Sequence, residues 1–207
     1  MKVNKMRRQT FNLFVSVLVI SFVFAACEKK KSSDILFVIE AKDVINSCSD
    51  IDSVKAIVED ENEFFYYEVA SAKYQDKGFK LVLPAVVPDK YLQSASYGLP
   101  ASIRPSVDKN AKVGFIEGQI AFDNTGKEIG RFQFRNEDNT FYTRYLYADR
   151  GFTIIGIDDF DGLIMEYECY FKKGWNILYF VEMENRGIAR TQKPDYAGFR
   201  WYYYDRR

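Results

Sequence analysis

Histidine is missing from all 207 residues of this chain. Its absence removes the commonest general base, the commonest metal ligand and every Ser–His or Cys–His nucleophile arrangement. Cysteine is scarce, with three residues, and without histidine so few thiols do not make a zinc site. An excess of either charge is also lacking, since 29 basic groups face 29 acidic ones. Nucleic-acid binders concentrate a basic surplus on one surface, so no nucleic-acid partner is expected. No hydrophobic run reaches the roughly 20 residues a membrane-spanning helix needs. No stretch sustains a period of 3.6 over three turns, which excludes a helical body.

What is present begins with an asymmetric N-terminus. Lys2, Lys5, Arg7 and Arg8 precede an apolar run from Phe11 to Ala25, which ends at Ala26-Cys27 before Glu28 and three lysines. A cationic start, a short apolar stretch and small residues at the exit form a secretory signal. Phe24-Ala25-Ala26-Cys27 resembles the lipobox cut by the lipoprotein signal peptidase, with Phe24 where Leu is usual. The resemblance implies cleavage after residue 26 and a lipid on Cys27. One palmitate-type chain gives marginal membrane affinity, whereas a multiply acylated cysteine holds firmly. The covalent lipid on Cys27 is the only prosthetic group expected; no cofactor and no metal is implied. Residues 27–34, polar and rich in Lys and Ser, make a flexible tether. The expected location is the bacterial outer membrane, facing either the periplasm or the outside.

Loss of the four cations in residues 1–26 leaves 25 basic groups against 29 acidic ones, a mildly acidic mature chain. Cys169 shares a strand face with Leu163, Met165, Tyr167 and Phe171, which makes a buried inert thiol the expected reading, with a Cys48–Cys169 disulfide in an oxidising compartment as the alternative. The apolar content is rich in Phe and Tyr, with 18 and 15 residues.

From Ile35 onward, runs of Val, Ile, Phe and Tyr alternate with Gly, Asn, Asp and Pro, which is the pattern of strands and turns. The expected fold is all-β, an antiparallel sandwich of one or two units. Strands are expected near 35–44, 54–58, 64–73, 79–83, 112–122, 128–135, 141–147, 153–157, 163–171, 175–182 and 199–204, with a helical turn near 89–95. Residues 35–84 form a first half, 85–111 a proline-containing connection, and 112–207 a second half, expected to be a meander. Gly78 to Pro84 resembles the closing strands of immunoglobulin- or transthyretin-like sandwich modules. The whole chain, with Phe171-Lys172-Lys173-Gly174-Trp175-Asn176, resembles small β-rich lipoproteins of Gram-negative envelopes. That resemblance implies location and fold and brings no catalytic residues.

Three groups of residues invite a function. Ser106 and Lys109 match the Ser-x-x-Lys spacing of penicillin-binding enzymes but lack its partner motifs. Asp158, Asp159 and Asp161, with Glu166 and Glu168, supply carboxylates for a hydrolase or a calcium site, although an acidic turn explains them as well. The end of the chain places Phe199, Trp201 and Tyr203 on one strand face and Tyr202 and Tyr204 on the other, with Arg200 or Asp205 as polar partner. Either these rings are sheet packing, or Trp201, Tyr202, Tyr204, Arg200 and Trp175 form an aromatic platform for a glycan or peptide. Asp52-Ser53-Val54 resembles a three-residue O-glycosylation acceptor and suggests an exposed loop. The expectation is a non-catalytic binding module rather than an enzyme, with an assembly subunit of another envelope protein as the alternative and a carboxylate hydrolase third.

Overall fold

In a computed structural model, residues 36–59, 66–96, 99, 103, 110–116, 118–195 and 198–206 are described. The signal segment 1–26, Cys27, the tether and the Ser106–Lys109 motif lie outside them. Fourteen strands make up the body: β1 (Phe37–Ala41), β2 (Ser53–Glu59), β3 (Tyr66–Lys73), β4 (Phe79–Leu83), β5 (Gln93–Ser94), β6 (Lys112–Ile116) and β7 (Gln119–Phe122) come first. β8 (Glu128–Arg135), β9 (Phe141–Ala148), β10 (Phe152–Phe160), β11 (Leu163–Phe171), β12 (Gly174–Met183), β13 (Arg186–Arg190) and β14 (Arg200–Asp205) follow. The only helical element among the described residues is a 3-10 turn, Asp89–Tyr91, placed by Pro88.

Twelve strands belong to one ladder that folds at a corner. β8 and β9 share a single rung, Arg135 opposite Tyr142, and then diverge. Beyond the corner β8 pairs with β14 and β7, and β7 continues to β2 and β3. β9 pairs with β12 along one edge and with β6 along the other. The two lobes close on each other, because Tyr145 and Ile116 share a core with Phe132, Trp201, Tyr203 and Val54. The result is sandwich-like, and the β1–β4 ribbon joins this core through Ile39, Phe79, Leu81 and Leu83.

The aromatic richness of the chain is spent here. Phe134, Trp201, Phe79, Phe132 and Tyr203 touch in that order, with ring centroids 5.1 to 5.4 Å apart and tilted or edge-on planes, the geometry that adds to area burial. A second core fills the opposite face of the β9–β12 lobe, where Leu146, Leu178, Ala189 and Cys169 pack against Ala95, Ile103, Ala111 and Val113. β9 is therefore covered on both sides, as its burial through Tyr145, Leu146, Tyr147 and Ala148 shows.

Three expectations and one alternative are corrected. The single strand 112–122 breaks between Ile116 and Gln119, because β6 pairs in one lobe and β7 in the other. The second half is not a simple meander: β12 returns to β9, the β10–β11 hairpin lies at the far edge, and β13 runs parallel to β11 between them. The halves on either side of the connection share one ladder, since β2 pairs with β7. No disulfide joins Cys48 to Cys169, which pack against different cores. The Cys169 thiol donates to the Ala189 carbonyl at 3.3 Å, and burial pushes its pKa up to about 12.

Candidate functional site

Strand alternation gives β14 two faces, and the structure uses the inner one for folding. Trp201 is 5% exposed, and its indole N–H donates to the Glu40 carbonyl at 3.0 Å, which joins β14 to β1. The outer face carries Arg200, Tyr202 and Tyr204. Tyr202 is also buried, at 7% exposure, because the Arg135 guanidinium lies 3.9 Å above its ring. Arg135 is held there by the Asn136 and Glu137 carbonyls, which accept from Nη1 at 2.6 and 2.7 Å. Tyr204 is the exposed aromatic of the strand, and Arg135 lies 5.0 Å from its ring. Trp175 is far from these groups in the sheet order; its indole donates to the Pro84 carbonyl at 2.8 Å and its ring meets Tyr147 edge-on. A flat platform of Trp201, Tyr202, Tyr204 and Trp175 does not form, because three of the four rings are engaged in holding strands together.

Other sequence candidates also resolve into structure. Asp159 Oδ1 accepts the Gly162 N–H at 2.9 Å and so belongs to the β10–β11 turn, while Glu166 is paired with Arg186 on β13. Among the described residues, no three His, Cys, Asp or Glu side chains are grouped as metal ligands. Ser53 lies in β2, paired on both sides with Lys73 and Phe122, rather than in an exposed loop. Of the run 64–67, Tyr67 stacks on Tyr91 at 3.9 Å.

Apart from the exposed Val38–Val82 pair of the β1–β4 ribbon, two surfaces have the character of binding sites. The first is a groove of about 620 Å³ lined by Glu40, Lys42, Asp43, Phe134, Phe199, Arg200 and Trp201. It exposes ring edges beside charges of both signs. Sequence reasoning found Arg200 and Trp201, with Phe199 on the same strand face, but missed Phe134, because the pairing that brings β8 to the chain end leaves no local signal.

The second surface is larger in apolar exposure and lies at the open end of the ladder. Its geometry follows from the register. Ile157, Glu166, Ile188 and Val181 form one row across β10, β11, β13 and β12; Ile155, Glu168, Arg190 and Tyr179 form the next. Asp159, Ile164, Arg186 and Met183 make a third, and Tyr170 adjoins them opposite Thr153. All these side chains point to one face. At β12 that face is buried at Tyr179 and Val181, but outward it opens, leaving Ile155 56% and Ile157 64% exposed, with Glu168 and Glu166 directly opposite them on β11 and the exposed Tyr170 and Ile164 on the diagonals. Exposed isolated apolar residues are ordinary, whereas a contiguous group on one face marks an interaction surface.

The strand carrying the two most exposed of these isoleucines is also an edge. Among the described residues β10 pairs only with β11. Its turn, Asp161-Gly162, has φ of 54° and 89°, the paired positive values of a type I′ hairpin. Such a two-residue turn closes on a hydrogen-bonded pair, Phe160 with Leu163. Residues two and four positions earlier are bonded inward, so Ile155, Ile157 and Asp159 direct their N–H and C=O outward. The edge contains neither Lys nor Pro, and its charges, Asp158 and Asp159, sit at the turn end, which leaves Phe152 to Ile157 without a blunting residue.

No helix among the described residues is long and apolar enough to cross a membrane. No protein-family model, curated protein or solved structure matches the chain, so the site stands on its own geometry.

Proposed function

We propose that this protein is a bacterial envelope lipoprotein, anchored by lipid on Cys27, whose β body is a non-catalytic assembly module binding another polypeptide through the β10–β11 shelf. The observation that carries the proposal is the coincidence of exposed Ile155 and Ile157 with an outward-facing backbone edge on the same strand. Backbone groups there offer affinity to an added strand, and the apolar side chains offer surface to bury against it. Photo-crosslinking residues introduced at Ile157 and Tyr170 in cells should give discrete protein adducts, while one at Val86, exposed on the connection, should not. Absence of adducts at both shelf positions would remove the reading. The anchor is tested separately: Cys27→Ser should abolish acyl labelling and release the protein from the membrane fraction.

The groove beside Trp201 supports a second reading, recognition of a glycan or peptide. Phe199→Ala is the informative variant there, because Trp201 holds the core; it should abolish saccharide or peptide binding without lowering stability as much as Trp201→Ala does.

A further inference from the structure

We infer that the occupant of the β10 edge is β10 of a second copy of this chain, joined antiparallel about a two-fold axis normal to the sheet at Gly156. The inference rests on the assembly reading above and names its partner. A symmetric edge-to-edge pairing must place the same strand against itself, so the sequence of β10, Phe152-Thr-Ile-Ile-Gly-Ile-Asp-Asp-Phe160, decides whether any register is acceptable.

Only residues that direct their backbone groups outward can bond across the new ladder, which restricts the rungs to the set containing Ile155, Ile157 and Asp159. An axis at Ile157 sets Ile155 opposite the second copy's Asp159, and an axis at Asp158 brings like carboxylates together. An axis at Ile155 leaves Ile157 opposite Thr153. At Gly156, each Ile155 meets an Ile157 and each Asp159 faces Thr153. On the shelf face both apolar side chains then find apolar partners and no acid faces an acid, while on the opposite face Ile154 stands across from Asp158.

Gly156 suits the axis for a steric reason. The residue directly on it faces its own copy in a non-hydrogen-bonded pair, where Cα atoms approach to about 4.5 Å. Its φ of 154° and an added Cβ standing 2.5 Å from Ile103 Cδ1 keep the position glycine within the chain, and at the axis it presents no side chain to its copy. Four isoleucines, two from each copy, then become one apolar cluster continuous with Ile164 and Tyr170 on the same face.

The test uses the full chain in a mild detergent. Sedimentation equilibrium should give twice the mass of one chain, with Ile157→Lys raising the dissociation constant at least about tenfold because it sets a charge among the clustered isoleucines. Val86→Lys should leave it unchanged. Register is read separately in a Cys48→Ser background. Oxidation of a mixture of Ile155→Cys and Ile157→Cys chains should yield a linked pair, since hydrogen-bonded partners have Cα atoms about 5.5 Å apart, within disulfide reach. Either variant alone should yield none, its like positions being about 7–8 Å apart on the diagonal. A monomer, or linking that ignores position, would overturn the inference. If that monomer still gave adducts from Ile157 to a different protein, the assembly reading would stand; if it gave none, both would fall.

Discussion

Cys169 shows how a residue's chemistry follows from its place in the sheet. Its thiol lies in the second core, donates to the Ala189 carbonyl and is held neutral by burial, with a pKa near 12 against an ordinary 9.0. A thiol reagent at pH 8 should therefore leave Cys169 unmodified in the native protein and modify it fully in denaturant; rapid native labelling would contradict its placement. The same shift gives a pH dependence. A group whose folded pKa is raised contributes stability fully below its unfolded pKa, and that contribution is lost as pH rises from about 9 to about 12. Tyr145 and Tyr179, also raised by burial, act in the same direction. Urea midpoints should fall between pH 8 and pH 10.5, and fall less in Cys169→Ala. Phe132 is the other residue whose role is plain, being fully buried among Tyr74, Phe79 and Tyr203. Phe132→Ala should cost about 3–5 kcal/mol, read from urea unfolding, and a loss below about 1 kcal/mol would show that the aromatic chain is not the centre of the core. At this scale the sequence shows that aromatics matter but not which way each ring faces. In Phe199-Arg-Trp-Tyr-Tyr-Tyr-Asp205 both faces carry rings, so alternation separates the two sets without telling which is inside. Tyr202 is buried only because Arg135, distant in sequence, lies over it.

Elements bounded by turn chemistry were legible, and those bounded by tertiary crossing were not. β4, β8 and β11 begin and end where Gly, Asn and Asp punctuate the apolar runs. β13 was missed because Arg186-Gly-Ile-Ala-Arg190 has one large apolar residue, yet it is stabilised by lying between β11 and β12 with partners on both sides. The break between β6 and β7 has a similar origin, as the local pattern continues while the chain passes from one lobe to the other. The β10–β11 hairpin is the element on which the proposed function depends, and its turn requires positive φ at both central residues. Gly162→Val, at φ 89°, should destabilise the hairpin by about 1–3 kcal/mol and increase amide exchange along β10 and β11, with little change in β8 or β14. Uniform loosening of both lobes would argue that the hairpin is not an independent projection.

For the whole molecule, the sheet is closed by packing where it is central and left open where it ends. β9 and β12 lie between two cores, while the same surface three strands beyond β12 presents Ile155 and Ile157 to solvent. The all-β class was legible from strand periodicity and turn residues, whereas the open shelf depends on strand order, which a chain with β11 parallel to β13 does not declare locally. Ile157→Lys separates folding from association. At an exposed position it should change the stability of the dilute, dissociated chain by no more than about 0.5 kcal/mol, yet prevent assembly; a large loss of stability would place Ile157 in the fold rather than in an interface. The most direct measurement is residue-resolved amide exchange of the protein at its native membrane against the same protein solubilised and dilute. The amides of Ile155, Ile157 and Asp159, which point away from β11, should be protected in the membrane and exchange rapidly in the dilute state. Equal exchange in both would contradict an edge that is covered when the protein works.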